Sequence, residues 1–162
     1  MALNAYLTLE GETQGAVAGS VTQGGREDSI MVIGFNHEIV SPRDAASGLP
    51  TGKRQHKPLV ITKEIDKSSP LLQLILCTNE NITKFEINFW APSATGQEAV
   101  FYKIELENAS IAGIHQEMLN NKYPENMQHK ERETISFCYQ KIIWTFEDGG
   151  ITAEDDWEAP VV

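Results

Sequence analysis

Leu3, Ala5, Leu7 and Leu9 alternate with Asn4, Tyr6, Thr8 and Glu10, the period of two that turns one face of a β-strand toward a core. The Gly-rich stretch GSVTQGG then interrupts the pattern. From Ser29 to Val40 the alternation returns, with Met31, Ile33, Phe35 and Ile39 on one face and Val32, Gly34, Asn36 and Glu38 on the other, which predicts a second strand ending at Ser41-Pro42. PLVITKEID predicts a short third strand, in which Leu59, Ile61 and Ile65 share a face that Lys63 interrupts.

The period then changes. In DKSSPLLQLILCTNEN, Ser69 is the predicted N-cap and Pro70 the first helical residue, where a missing N–H is harmless, so a helix is expected over 69–79. Leu71, Leu72, Leu74, Ile75 and Leu76 leave it almost no polar side, which predicts a helix covered nearly all round against a sheet or barrel end.

Thr83, Phe85, Ile87 and Phe89 form one further alternating face, and Val100, Tyr102, Ile104 and Leu106 another, joined through the turn APSATGQ. The second of these segments runs on through ASIAGIHQE, well past the roughly 5–6 residues usual for a strand, so a bend or bulge is expected near Gly113. Its expected partner is ERETISFCYQKIIWTFED, whose apolar face slips from Ile135, Phe137 and Tyr139 to Ile142, Trp144 and Phe146, marking a second bulge near Gln140. GGITAEDDWE reads as a turn and an acidic tail. Long strands, one short helix and no β-α-β alternation predict a mainly β fold: an antiparallel β-barrel of two packed sheets with one flanking α-helix. Strands of this length also offer an edge to a neighbour.

Between two apolar runs lies SPRDAASGLPTGKRQHKP, too polar and too rich in Gly and Pro for helix or strand. Compact domains join their elements with about 4–6 residues, and unstructured connections beyond roughly 12–15 tend to be functional or disordered. Residues 41–57 are therefore expected to be an extended loop protruding from a single domain over 1–162, with 158–162 a flexible tail.

The net charge of -10 and pI near 4.8 argue against a general binder of nucleic acid or anionic membrane. The apolar stretches IMVIGF and LLQLILC are far shorter than the ~20 residues that span a bilayer. MALNAYLTLEGETQG has neither a basic n-region nor a continuous apolar h-region, so no cleaved secretory signal is expected and folding is expected in the cytoplasm. Cys77 and Cys138 have no CxxC partner and read as reduced, buried small hydrophobes. His37, His56, His115 and His129 are dispersed and read as solvent-facing structural residues; HQE at His115 and HKE at His129 amount to a weak metal pair at most. No GxSxG, P-loop or GxGxxG is present, so no catalytic residue, metal or cofactor is assigned.

Charge is nevertheless unevenly placed. The loop carries Arg43, Lys53, Arg54 and Lys57 against Asp44, whereas Glu147, Asp148, Glu154, Asp155, Asp156 and Glu158 face no basic residue at the C-terminal end. Opposite poles on one small protein predict head-to-tail association, a heterologous contact that builds rings or open stacks.

HKPLVITKEIDKSSPLLQLIL, His56 to Leu76, closely resembles the signature of the haemolysin-coregulated proteins (Hcp), the inner-tube component of bacterial type VI secretion systems. MALNAYLTLEGETQG and ETISFCYQKIIWTFEDGG resemble that family's first strand and last long strand, in the same order. The resemblance implies a non-enzymatic β-barrel assembled as a hexameric ring with a wide lumen. Rings would stack into a tube, propelled by a contractile sheath behind a spike, with effector proteins in the lumen. Its implied partners are copies of itself, spike and sheath proteins and effectors, with no nucleic acid and no membrane insertion. Such a protein leaves the cytoplasm without a cleaved signal and ends outside the cell or in a target cell.

In that family the loop after the second strand contacts neighbouring rings, and it maps onto Ser41 to Lys57 here. The expected stacking contacts are Arg43, Asp44, Leu49, Lys53, Arg54, Gln55, His56 and Lys57, with Glu147, Asp148, Glu154, Asp155 and Asp156 as the complementary acidic surface. The competing class is a small β-barrel ligand-binding module or enzyme with a metal or sugar in its mouth, which predicts a monomer or dimer.

Overall fold

The alternating segments do form strands, and the segment with a helical period forms the helix. The structure, a computed structural model, describes residues 1–159. In chain order the strands are β1 (Ala5–Gly11), β2 (Gly15–Ala16), β3 (Ile30–Val32), β4 (Gly34–Asn36), β5 (Ile39–Val40), β6 (Gln55–His56) and β7 (Leu59–Glu64). The helix α1 (Ser69–Thr78) follows, then β8 (Ile82–Pro92), β9 (Glu98–Glu107), β10 (Ser110–Glu117), β11 (Arg132–Cys138), β12 (Lys141–Phe146) and β13 (Ile151–Asp156). One sheet of seven strands has the order β13-β12-β9-β8-β1-β2, with β3 also on β1; a second of four has the order β10-β11-β7-β4. β5 and β6 form a separate ribbon.

The two sheets face each other over one apolar core. Leu7 lies opposite Ile30 and Ile87, and Ile87 opposite Ile104, so a continuous row of side chains crosses the larger sheet. None of these is more than 2% exposed, and each stabilises the fold by about 1.5–3 kcal/mol. Phe85 of this sheet meets Phe137 of the other edge-on at 4.7 Å between ring centroids. Most of the second-half pattern is therefore realised as expected.

The long segments cross from one sheet to the other. β9 passes into β10 at Asn108, which takes a left-handed φ of 48°, and β11 passes into β12 at Tyr139 and Gln140. The Gln140 N–H donates to the Glu107 carbonyl at 3.1 Å, and Asn108 Nδ2 donates to Gln140 Oε1 at 2.8 Å. The slip near Gln140 is thus a complete strand break, because one straight strand cannot line two sheets that cross. The expected irregularity at Gly113 is a bulge, with the register against β11 shifting between Ile111 and Gly113.

Several expectations need correction. The segment Ser29 to Val40 is three short strands, and its buried apolar residues are Ile30 and Val32, whereas Ile33, Phe35 and Ile39 are 45%, 39% and 38% exposed. The chain leaves the first sheet after Val32 and joins the second at Gly34, with the Ile33 N–H on the Thr62 carbonyl. A phase error of one residue reverses every inward side chain. Lys63 does not interrupt the apolar face of β7; it continues that face inward and is completely buried, while Ile65 lies beyond the strand and is exposed.

The N-cap position belongs to Ser68, with Ser69 the first helical residue and Pro70 the second. Ser69 Oγ is engaged elsewhere, donating to Glu133 Oε1 at 2.7 Å and accepting from the Asp66 N–H at 3.0 Å. The helix ends as expected, with Asn79 in the left-handed region. It is not covered all round: Leu72 and Ile75 are buried, but Leu74 is 44% exposed. Both cysteines are free and exposed rather than buried, Cys77 on the outer side of the helix and Cys138 on the outward alternation of β11. GGITAEDDWE is not a tail, since β13 pairs with β12 along its length as an edge strand. Of the expected flexible tail 158–162, residues 160–162 lie outside the described residues; the Glu158 N–H donates to Asp156 Oδ1 and that of Ala159 to the Asp156 carbonyl. Among the described residues no helix is long and apolar enough to cross a membrane.

Candidate functional site

The polar segment after β5 is a folded ribbon. Ile39 pairs with His56 and Val40 with Gln55, the Thr51 N–H donates to the Pro42 carbonyl at 3.0 Å, and Arg43 bridges to Pro50. At its tip Asp44 Oδ2 accepts from the Ser47 N–H and hydroxyl, both at 2.7 Å. These bonds hold the Asp44 carboxyl below its ordinary range. Gly48 closes the turn at φ 72°, a conformation that L-residues avoid. Asp44 therefore shapes the turn, while Arg43, Lys53 and Leu49, the last 64% exposed, project from the arm.

The base of the arm sits where the long strand β11–β12 changes partners. Its edge is covered by β7 as far as Phe137 and by β13 from Lys141 onward, leaving Tyr139 at the gap. Arg54, His56 and Asp155 close that gap. Arg54 grips Asp155 with two parallel bonds, Nε to Oδ2 at 2.5 Å and Nη2 to Oδ1 at 2.8 Å, and Nη2 also reaches the Asp156 carbonyl at 2.8 Å. His56 Nε2–H donates to the same Asp155 Oδ2 at 2.6 Å, so its Nδ1 faces Tyr139 Oη at 2.8 Å; on the other side of that hydroxyl is His37 Nε2 at 2.7 Å. The Trp157 ring lies beside His56 with centroids 6.0 Å apart, and its indole N–H donates to the Tyr139 carbonyl at 2.5 Å.

The electrostatics follow from these contacts. The hydrogen bonds from Arg54, and after them His56, hold the Asp155 carboxyl below its ordinary value even though burial opposes them. Burial, together with the charge of His56, lowers the His37 pKa, and burial pushes the Tyr139 phenol up. The Asp155–His56–Tyr139–His37 bonds fasten the arm base to the β11–β12 strand; among the described residues Arg54 Nη1 is buried there without a partner, and no group of three metal-binding side chains occurs.

The expected stacking residues thus separate. Arg54 and His56 meet Asp155, and through its carbonyl Asp156, inside one chain. Lys57 pairs with Glu38 at 2.9 Å on the same ribbon, Gln55 is exposed, and Glu154 pairs with Lys141 at 3.2 Å. Glu147 and Asp148 lie at the opposite end of β13, with Glu147 3.7 Å from Lys103, so the acidic residues form two patches rather than one surface. His37 and His56, read from the sequence as solvent-facing, instead turn onto Tyr139, the His56 side chain being 1% exposed, and Tyr139 and Trp157 belong to the site although the sequence assigned them no place in it. One signal was available: Arg54 and His56 are two apart in an extended segment, hence on one face, and can share an acceptor.

Residues 6–146 match the family described as "Type VI secretion system effector, Hcp". The chain is 44% identical over 170 aligned positions to the "Major exported protein" of Pseudomonas aeruginosa, covering 99% of each. Among solved structures, one described as "Hcp protein" is 30% identical with a TM-score of 0.89, covering 97% of this chain and 99% of that one. A secreted protein of P. aeruginosa, Hcp3, is 36% identical with a TM-score of 0.77, covering 94% and 99%.

Proposed function

This chain belongs to the Hcp family of type VI secretion proteins, structural rather than catalytic, and from that premise we propose that it is the ring subunit of a secretion tube. Six copies close a ring, rings stack into a tube with effector proteins in the lumen, and spike and sheath proteins cap and propel it. The subunit is carried out of the cell with the tube. The observation that carries this reading is the arm: a preformed ribbon whose base is tied within its own chain, so that Arg43, Leu49 and Lys53 are held outward, where a neighbouring copy would meet them.

Preorganisation of this kind lowers the entropy lost on association. Contacts limited to a tip also leave stacking weaker than ring closure, as a tube that must come apart after delivery requires. Size-exclusion chromatography with light scattering and negative-stain imaging tests the reading. Hexamer mass and ring images are expected, and a stable monomer without rings, as a ligand-binding module or enzyme predicts, overturns it. Because Arg54 is committed to Asp155, charge reversal for stacking belongs at Arg43 and Lys53; Arg43→Glu with Lys53→Glu should leave rings intact and reduce tubes.

A further inference from the structure

Tyr139 has a single hydroxyl hydrogen and sits between two imidazoles, with His56 Nδ1 at 2.8 Å and His37 Nε2 at 2.7 Å. The donors can be assigned in turn. Asp155, kept ionised by its bonds from Arg54, can only accept, so His56 carries its hydrogen on Nε2 and presents the Nδ1 lone pair to Tyr139. Tyr139 Oη–H therefore donates to His56, and His37 Nε2–H donates to Tyr139 Oη. The donors run one way, from His37 through Tyr139 and His56 to Asp155, and every link is made with both imidazoles neutral.

Added protons disturb that order. One placed on His56 lands on Nδ1, the atom that accepts from Tyr139, so the hydroxyl must turn its hydrogen to His37 and His37 must change tautomer. One placed on His37 keeps its bond to Tyr139 but brings a charge into a partly buried position. With both imidazoles charged, two N–H groups meet one oxygen whose own hydrogen has no acceptor in the chain. The groups facing the pair are Glu38 and Lys57, joined to each other on the same ribbon, Arg54 at the arm base, Asp155 and Asp156 from β13, and the Cys138 thiol beside Tyr139. Asp155 is already shared by Arg54 and His56, and among the described residues no carboxylate pairs with His37. Once the arm lifts away, water solvates both rings and neither restriction applies.

We propose that this junction is an acid-sensitive latch: two imidazoles sharing the one hydroxyl of Tyr139 hold the arm in place near neutral pH and release it in acid, so that a tube separates into intact rings. The proposal rests on the ring-and-stack reading above. The sign follows from His37, whose pKa burial and His56 lower from 6.5: the closed arm binds that proton less readily than the open one, so latching weakens as pH falls below 6.5. Small losses multiply across a ring. With about five arms in six latched at neutral pH and about five in eight in acid, six arms acting together lose about fivefold in stacking strength.

Sedimentation of tubes at two pH values tests it. Between pH 7.5 and pH 5.5 the ring concentration needed for tubes should rise about fivefold in the parent, with the mass of single rings unchanged. His37→Gln keeps a hydrogen-bonding group but cannot titrate, so its own ratio between the two pH values should fall below about twofold. His129→Gln, which changes an exposed histidine outside the latch, should keep the parent's ratio. Tryptic cleavage at Lys53 in single rings, divided by that of the unfolded chain at the same pH, needs no tubes. It should rise about twofold on acidification in the parent and stay flat in His37→Gln. A parent whose tubes and cleavage ignore pH, a response that survives His37→Gln, or rings that dissociate together with the tubes would each overturn the latch while the ring reading stands at pH 7.5. Absence of rings in the parent at pH 7.5 would remove the ring reading, and with it the latch.

Discussion

The two ends of β7 carry similar chemistry in opposite surroundings. Near the C-terminal end, Lys63 Nζ lies 2.5 Å from Glu133 Oε1 and 3.1 Å from both Asp66 Oδ1 and Ser69 Oγ, and the side chains of Lys63 and Glu133 are 0% exposed. Before the N-terminal end, Arg54 and His56 meet Asp155, but the Arg54 and Asp155 side chains keep 19% and 28% of their exposure. In the interior, removing one partner strands a charge that water cannot reach, at about 3–5 kcal/mol, whereas an exposed pair is worth about 0–1 kcal/mol. The first cluster holds the helix to both neighbouring strands. The second is a clasp, strong in geometry and weak in energy, which suits a part that must meet another molecule.

The largest effect should therefore come from the buried end. Glu133→Ala leaves Lys63 with Asp66 as its remaining acidic partner and should lower the unfolding free energy by about 3–5 kcal/mol, read as a lower denaturant midpoint at unchanged slope. Replacing the pair together, Lys63→Met with Glu133→Leu, should recover part of that loss, because the one charge that then loses its cation, Asp66, is partly exposed and keeps its bonds from Ser68. A Glu133→Ala variant as stable as the parent would erase the distinction between the two ends.

This contrast was only half legible in the sequence. Lys63 looks like an interruption of β7, since its reason for pointing inward lies 70 residues away at Glu133. The arm was visible as a long polar excursion because Pro, Gly and charged residues declare themselves locally, but β5 and β6 are two residues each, too short to show any period. Ile33 and Phe35 were assigned inward because a crossing between sheets shifts the register without changing composition. β13 was missed for a related reason: an acidic edge strand has little burial on either face, so ITAEDD carries no alternation to read. Pairings between distant edges, such as Asp155 with Arg54, lie beyond any local pattern.

At the arm base the expected effects are local. Asp155→Ala releases both Arg54 and His56 and should leave the denaturation midpoint nearly unchanged, since the core rows of β1, β8 and β9 are untouched. Trypsin cleavage at Arg43, Lys53 and Arg54 should instead accelerate roughly fivefold, as expected when opening is subglobal. If the midpoint fell as far as in Glu133→Ala, the clasp would be part of the core rather than an attachment to it.

The smallest effect separates the two ends by pH. His37 has a pKa below its ordinary value of 6.5, lowered by burial and by His56. The opened arm thus binds a proton at His37 more readily than the closed one, and stability of the base rises with pH below 6.5 until both states are neutral. Acidification from above 6.5 should loosen the clasp, since a protonated His37 can only donate toward Tyr139 Oη and carries a charge into a partly buried position. Asp155, held below 3.8 by Arg54, contributes stability that is present above 3.8 and lost only as pH falls through its lowered value, so a second, more acidic step should follow. Exchange of the Trp157 indole proton, which bonds the Tyr139 carbonyl, reports both steps after correction for intrinsic exchange. Its protection should drop about two- to threefold in the first, as expected for a few tenths of a kcal/mol in a local opening. His37→Gln keeps a hydrogen-bonding group beside Tyr139 but cannot titrate, so it should abolish the first step and leave the second. A first step that survives His37→Gln would assign the proton to another group and leave His37 a purely structural neighbour of Tyr139.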